Sequence, residues 1–244
     1  MTREIHSKKT ESRERGFLRE GIKAAWPICL GYVPIGLAFG VLAQKAGLQP
    51  LEVGLMSLLV FAGSSQFIAV SMISAGADAL PIIVTTFTVN LRHLLMSSSL
   101  SLYLGRLQRG WISLFSYGVT DESFAVNLTR FRDGGWHWRP ALVLNHTANL
   151  VWIVSTVLGA LGGQFIPAGA FGIDYALVAM FLCLLVFQLR GKLHAVTAVL
   201  AGVLAVVLAL AIPGNAYVVI ASMAAATIGV FLKHLRPSLS GEKS

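Results

Sequence analysis

A chain of 244 residues that is 55% hydrophobic, only 12% charged and has a mean hydropathy of +0.72 carries too little polar surface for a water-soluble domain. Its net charge of +8 does not mark a nucleic-acid-binding protein, because the 19 basic residues gather in tails and loops rather than on a folded face with reading elements. Cys29 and Cys183 lie far apart in apolar segments without a CxxC partner, so neither a disulfide framework nor a metal site nor any other cofactor is expected.

A bilayer core requires roughly 20 apolar residues per helix. Blocks of about that length recur at 22–43, 51–75, 81–104, 111–129, 140–161, 175–189, 193–212 and 216–232. The expected fold is an all-α polytopic membrane protein of about eight hydrophobic segments, with a basic N-terminal tail over 1–20, a membrane domain over 21–235 and a short tail over 236–244. The N-tail is too long and lacks the small-residue cleavage site of a signal peptide, so it is expected to stay in the mature protein.

The first segment, "AAWPICLGYVPIGLAFGVLA", carries Pro27 and Pro34, which remove two backbone donors and disfavour a straight helix. Gly36 and Gly40, like Gly159 and Gly163 further on, have the GxxxG spacing that permits close helix approach. The second segment is interrupted at Gly63-Ser64-Ser65-Gln66, and the fourth holds Gly118, Asp121 and Glu122 halfway along. Non-helical backbone at membrane depth survives only when buried in protein or lining a wet cavity. Gly-interrupted segments in comparable positions of two halves point to a transporter with an inverted repeat and a binding site at the breaks.

Between these two segments lies "TTFTVNLRHLLMSSSLSLYL", a helix-length apolar run with Asn90, Arg92 and His93 at its centre. A step of about 100° per residue puts Thr86, Asn90, His93, Ser97 and Ser101 on one stripe. Arg92 projects about 160° from Asn90, so either it meets a second buried partner or the helix breaks there. Arg92, Asp121 and Glu122 left alone in the membrane would together cost about 8–10 kcal/mol, which is comparable to the stability of a domain. They must be paired, wet, or both. Arg92 then either forms a static ion pair with Asp121 or Glu122, or contacts substrate. His93 either packs or transfers protons, since imidazole changes charge near neutral pH. One of the two carboxylates can pair with Arg92 while the other carries a coupling proton.

The fifth segment places Asn145, Asn149, Trp152 and Thr156 on one face with His146 beside it. Interhelical hydrogen bonding accounts for such a stripe, but Asn149 lies deeper and joins Ser64, Ser65, Gln66, Asn90, Arg92 and His93 among the candidate substrate contacts. The last three segments lack buried charge and read as scaffold or partner surface.

Basic residues collect on cytoplasmic flanks. If all eight segments span with the N-terminus inside, 15 basic residues lie inside against 3 outside, Lys45, Arg106 and Arg109. If segments 51–75 and 111–129 dip in and return, the count becomes 17 to 1. Both arrangements put the two termini in the cytoplasm.

In order along the chain stand "GYVPIGLAFGVLAQKAGL", "VFAGSSQF", "NLRHLL", "TDESFA", "LNHTANLVWIVSTVLGALGG" and "IDYALVAMF". This set resembles the AzlC family, the large subunit of bacterial branched-chain amino-acid exporters, over roughly residues 16–235. The resemblance implies a non-enzymatic permease of the inner membrane that exports leucine, isoleucine, valine or methionine with a small membrane subunit resembling the AzlD family. A zwitterionic substrate needs donors for its carboxylate and acceptors for its ammonium. The Gly63–Gln66 break, Asn90, Arg92 and His93 suit the former, and Asp121 or Glu122 the latter or a proton, with Phe61, Phe67 and Phe124 for an apolar side chain. Two other classes compete. A channel would need a ring of selectivity residues, and an intramembrane hydrolase would need Ser64 or Ser65 held against His146 as base.

Overall fold

The computed structural model describes residues 2–105, 107–166, 192–211 and 216–235, with Tyr175, Leu182, Val186 and Leu189 as isolated positions. Among the described residues there are nine helices and no strand: α1 (Thr2–Lys45), α2 (Pro50–Leu59), α3 (Gly63–Ser74), α4 (Ala79–Leu104), α5 (Arg109–Tyr117), α6 (Asp121–Arg132), α7 (Trp138–Gly163), α8 (Lys192–Ala211) and α9 (Ala216–Leu235). The all-α polytopic expectation holds, with α1, α4, α7 and α8 each long and apolar enough to cross a membrane. Those four positions aside, the segment expected at 175–189, with Cys183, lies outside the described residues, as do Arg106 and the 236–244 tail.

The chain forms two compact units, one of residues 1–78 and 89–176, the other of 79–88 and 177–244. In the second, α8 and α9 pack closely where Gly229 faces Thr197, whose hydroxyl donates to the Leu193 carbonyl one turn back (2.9 Å). That bond satisfies the hydroxyl within its own helix.

In the first unit, α1 begins at Thr2, so the basic stretch 1–20 is the start of a helix that continues through Pro27 and Pro34 to Lys45. Both prolines stand on its exposed face two turns apart, and the backbone bonds they delete leave the packed face intact. That face lies against α7. Gly21 sits beside Pro140, Gly36 beside Ser155, Gly40 beside Thr156 and Ala160, and Val41 beside Gly163. The pairs advance together along both helices, which therefore run parallel. A Cβ on Gly40 would overlap the Thr156 carbonyl, and one on Gly159 the Leu37 carbonyl, so the GxxxG spacing does permit close approach here.

With α7 as a ruler, the two interrupted segments are hairpins rather than crossings. Trp111 near the start of α5 packs at a tilt against Trp138 at the start of α7, with ring centroids 5.4 Å apart. α5 climbs to Gly118, which packs on Asn145, and the chain breaks over Gly118–Thr120. α6 then descends, passing Asn145 again at Asn127 (2.9 Å), and Phe131 near its end joins Ala141 in one buried cluster. Both ends of α5–α6 therefore lie at the N-terminal end of α7. The pair α2–α3 enters from the other end. Ser57 meets Thr156 (2.8 Å), Gly63 rests on Trp152 nearer the middle, and Phe67 returns to Phe39 (5.1 Å), in the part of α1 packed beside Thr156 and Ala160. Between them α4 runs antiparallel to α7: His93 lies at Val119, and Leu100 and Leu104 enter the cluster with Phe131 and Ala141.

Helices of 10, 12 and 26 residues in α2–α3–α4 thus recur as 9, 12 and 26 in α5–α6–α7, entered from opposite ends, which is the layout of an inverted repeat. The first break falls at Val60–Ala62, just before Gly63–Gln66, which instead form the first turn of α3. The turn is made by Phe61 with φ +37°, the one positive φ outside glycine among the described residues.

Candidate functional site

The two hairpin tips meet in the middle of the first unit. Tyr117, at the end of α5, donates its hydroxyl hydrogen bond to the Leu58 carbonyl near the end of α2, and Asn149 of α7 donates to that same hydroxyl (3.3 Å). The Phe61 ring lies 6.2 Å from the Tyr117 ring. Each tip opens into a helix N-terminus, where unsatisfied N–H groups and the helix dipole favour negative charge. Asp121 and Glu122 occupy the first turn of α6 for that reason, and Thr120 caps it through reciprocal bonds with Ser123 (2.8 and 3.3 Å).

Arg92 connects the tips. The α4 helix is unbroken, and the long guanidinium side chain reaches the second partner that its angular position demanded: Nη2 lies 3.0 Å from Asp121 Oδ2 and also donates to Ser64 Oγ. This is the sole ion pair among the described residues. Glu122 is held differently, with the Tyr32 hydroxyl of α1 at 2.7 Å and also 2.8 Å from Thr120 Oγ1. His93 Nδ1 lies 2.9 Å from the Val119 carbonyl, a group freed by the break. Three polar atoms of this α4 segment are buried without a hydrogen-bond partner: Asn90 Oδ1, Arg92 Nε and His93 Nε2.

The other candidates are placed elsewhere. Ser65 donates to the Ala62 carbonyl (3.0 Å) and steadies its own break. Gln66 is fully buried and fully used, donating to Ser57 (3.1 Å) and accepting from Trp152 (3.0 Å), so it locks α3 to α2 and α7. Of the trio 64–66, Ser64 is therefore the one at Arg92. Asn149 serves the tip contact, whereas Asn145 bonds Asn127 and the Phe115 carbonyl (3.2 Å) as glue between helices. Phe67 packs on Phe39, and Phe124 packs against the Leu100 cluster, which leaves Phe61 as the aromatic at the tips. His146 stacks on Tyr117, and neither Ser64 nor Ser65 is bonded to it, so the nucleophile–base pair of a hydrolase is not assembled. Tyr32, Tyr117 and Thr120 were not singled out from the sequence. The available signal was two hydroxyl-bearing aromatics in apolar segments, which need polar partners when buried.

An all-α unit with two broken hairpins entering from opposite ends and closing on a half-buried arginine–carboxylate pair defines a polytopic membrane protein built like a solute transporter. The chain belongs to the AzlC family: residues 27–166 match the family described as AzlC protein. It is 34% identical over 80% of its length to the inner membrane protein YgaZ of Escherichia coli K12, covering 82% of that protein. It is 29% identical over 69% of its length to the branched-chain amino acid transport protein AzlC of Bacillus subtilis 168, covering 66% of it, and 32% identical over 77% to an uncharacterized membrane protein of Archaeoglobus fulgidus, covering 82%. No solved structure matches.

Proposed function

We propose that this protein is a secondary transporter that exports branched-chain and other hydrophobic amino acids, namely leucine, isoleucine, valine and methionine, by exchange with protons. The observation that carries the reading is the double engagement of Arg92, which ties the first turn of α3 at Ser64 to the first turn of α6 at Asp121. A substrate carboxylate carries the charge and geometry of Asp121 and competes for the same guanidinium. When it binds, Arg92 lets go of one tip, and opening toward one face becomes linked to loading. Glu122, held by hydroxyls, is assigned the coupling proton. The Bacillus subtilis relative's description supports the substrate class. The resemblance implies a small membrane subunit like those of the AzlD family. The protein sits in the bacterial cytoplasmic membrane, with its termini and the end of the bundle bearing Arg109, Arg130, Arg132 and Arg139 in the cytoplasm, in line with the basic-residue count for re-entrant hairpins.

The test is reconstitution with the small subunit in liposomes, followed by flux of labelled leucine, valine and methionine with and without a pH gradient. Saturable counterflow that Arg92→Ala abolishes supports the carrier. Flux linear in concentration would replace it with a channel.

A further inference from the structure

Building on the amino-acid transport reading, we infer that the substrate's ammonium group binds at Asn90 and His93 on α4, and not at the acidic residues opening α6. Both carboxylates already have partners: Asp121 is held by Arg92, and Glu122 by Tyr32. Asn90 Oδ1 and His93 Nε2 have none, although both atoms are buried.

The chemistry of these two atoms is fixed by their surroundings. A backbone carbonyl only accepts, so the 2.9 Å contact to Val119 puts the ring proton of His93 on Nδ1. In the tautomer that carries its single proton there, the ring presents a lone pair at Nε2. Asn90 Oδ1 is an acceptor in any state. Residues three apart on a helix are neighbours, with Cβ atoms about 5–6 Å apart, so two buried acceptors stand side by side with no donor. Burial of an acceptor without a donor is unfavourable. The ligand that satisfies both is one with several N–H donors on a single atom, as in a primary ammonium.

The neighbouring groups support an α-amino acid over a simple amine. Arg92 Nε, a donor, is also buried without a partner, one residue from His93. In an α-amino acid the ammonium and carboxylate are separated by one carbon; Arg92 leaves the helix about 160° from Asn90, but it is adjacent to His93 and its long side chain reaches Asp121, two residues beyond the Val119 carbonyl that His93 contacts. The charged and titratable groups next along the chain from His93 and from the Val119 carbonyl it contacts are Arg92 on its own helix and Asp121 and Glu122 on α6, the last held by Tyr32 of α1. Asp121 balances Arg92, and Glu122, engaged by the neutral Tyr32 hydroxyl, is the group assigned the coupling proton, so with that proton bound neither carboxylate is left to neutralise an additional cation. The ammonium therefore enters with its own carboxylate, which Arg92 receives.

The test uses the reconstituted transporter and compares two competitors of labelled leucine uptake: unlabelled leucine, and 4-methylpentanoate, the same molecule without its ammonium. The wild type is expected to favour leucine. Asn90→Leu and His93→Leu are expected to raise the leucine KM about 10- to 100-fold, the range for lost hydrogen bonds to a charged group, and to bring the two competitors toward equality. Asn90→Asp and His93→Gln retain an acceptor and should keep the preference, which guards against a leucine variant that merely fails to fold. The assignment is overturned if the leucine variants keep the wild-type ratio while Asp121→Asn or Glu122→Gln collapses it, or if Asn90→Asp and His93→Gln lose the preference in folded protein. Wild-type vesicles that take up no leucine would sink the transport reading itself, and this assignment with it.

Discussion

Replacing Asp121 with asparagine separates an exchanging Arg92 from one locked in a structural ion pair. The pair is 3.0 Å long, and its side chains are 32% and 31% exposed, so it lies between two regimes. Exposed pairs are worth about 0–1 kcal/mol, and breaking a buried one costs about 3–5 kcal/mol. A half-buried pair falls near 2 kcal/mol. If the substrate carboxylate must displace Asp121, apparent affinity is lowered by that amount, about 30-fold at 1.4 kcal/mol per decade. Asp121→Asn preserves the size of the side chain but removes the competing charge, so the leucine KM should fall by about tenfold or more. Turnover should fall as well, because Arg92 has no protein carboxylate to return to. Initial rates of counterflow against leucine concentration measure both. An unchanged or higher KM in Asp121→Asn, together with recovered transport in the Arg92→Ala/Asp121→Ala double variant, would refute the exchange and leave a static pair.

Other expectations follow from the packing. Gly40→Val forces a side chain into the Thr156 carbonyl of α7 and should cost about 1–3 kcal/mol or more; thermal denaturation in detergent should show it, while Gly31→Ala, with nothing within 4 Å, stays near the wild type. Gln66→Leu strands the Trp152 indole N–H in the core and leaves the Ser57 hydroxyl with Thr156 alone, which predicts about 1–3 kcal/mol of destabilisation in the same assay. For topology, Arg109→Cys and Arg132→Cys should react with an impermeant thiol reagent from the same side of the membrane, since α5 begins and α6 ends at one end of α7. Labelling from opposite sides would contradict the hairpin.

Much of this architecture is legible in the sequence because the bilayer enforces length and apolarity. The blocks at 81–104 and 140–161 reappear within two residues at each end as α4 and α7. Both breaks are signalled by polar or glycine residues at membrane depth. Their direction is not, because a broken crossing and a re-entrant hairpin share one hydropathy pattern; charge counts favour the hairpin, and contacts such as Trp111–Trp138 fix it. The first break lies at Phe61 rather than at a glycine, while Gly63 packs closely on Trp152, a tertiary contact that a single sequence does not display. The site is legible in type more than in pairing. An intramembrane arginine requires a partner, but whether Asp121 or Glu122 serves, and that Tyr32 takes the other, depends on how α1 and α4 are placed around α6. Of Ser64, Ser65 and Gln66, three equivalent letters in the sequence, one reaches the arginine and two are consumed by packing.

The parallel course of α1 and α7 constrains how such a site can move. Two parallel crossings need a net return between them; with both hairpins re-entrant, α4 alone supplies it. The helix carrying Asn90, Arg92 and His93 is therefore the one that joins the two repeats, and each tip touches it from its own side, Ser64 from α3 and Asp121 from α6. A motion that withdraws either tip breaks one contact to Arg92 and spares the other. The closely packed α1–α7 seam, with carbonyls where Gly40 and Gly159 leave no room for a Cβ, has little freedom to slide. The mobile parts that this geometry leaves are the tips, joined through Tyr117, Asn149 and Leu58. On the proposed mechanism, alternate access requires the tip contact to yield on one side at a time, and the charge bound to Arg92 is the one that would decide which side yields.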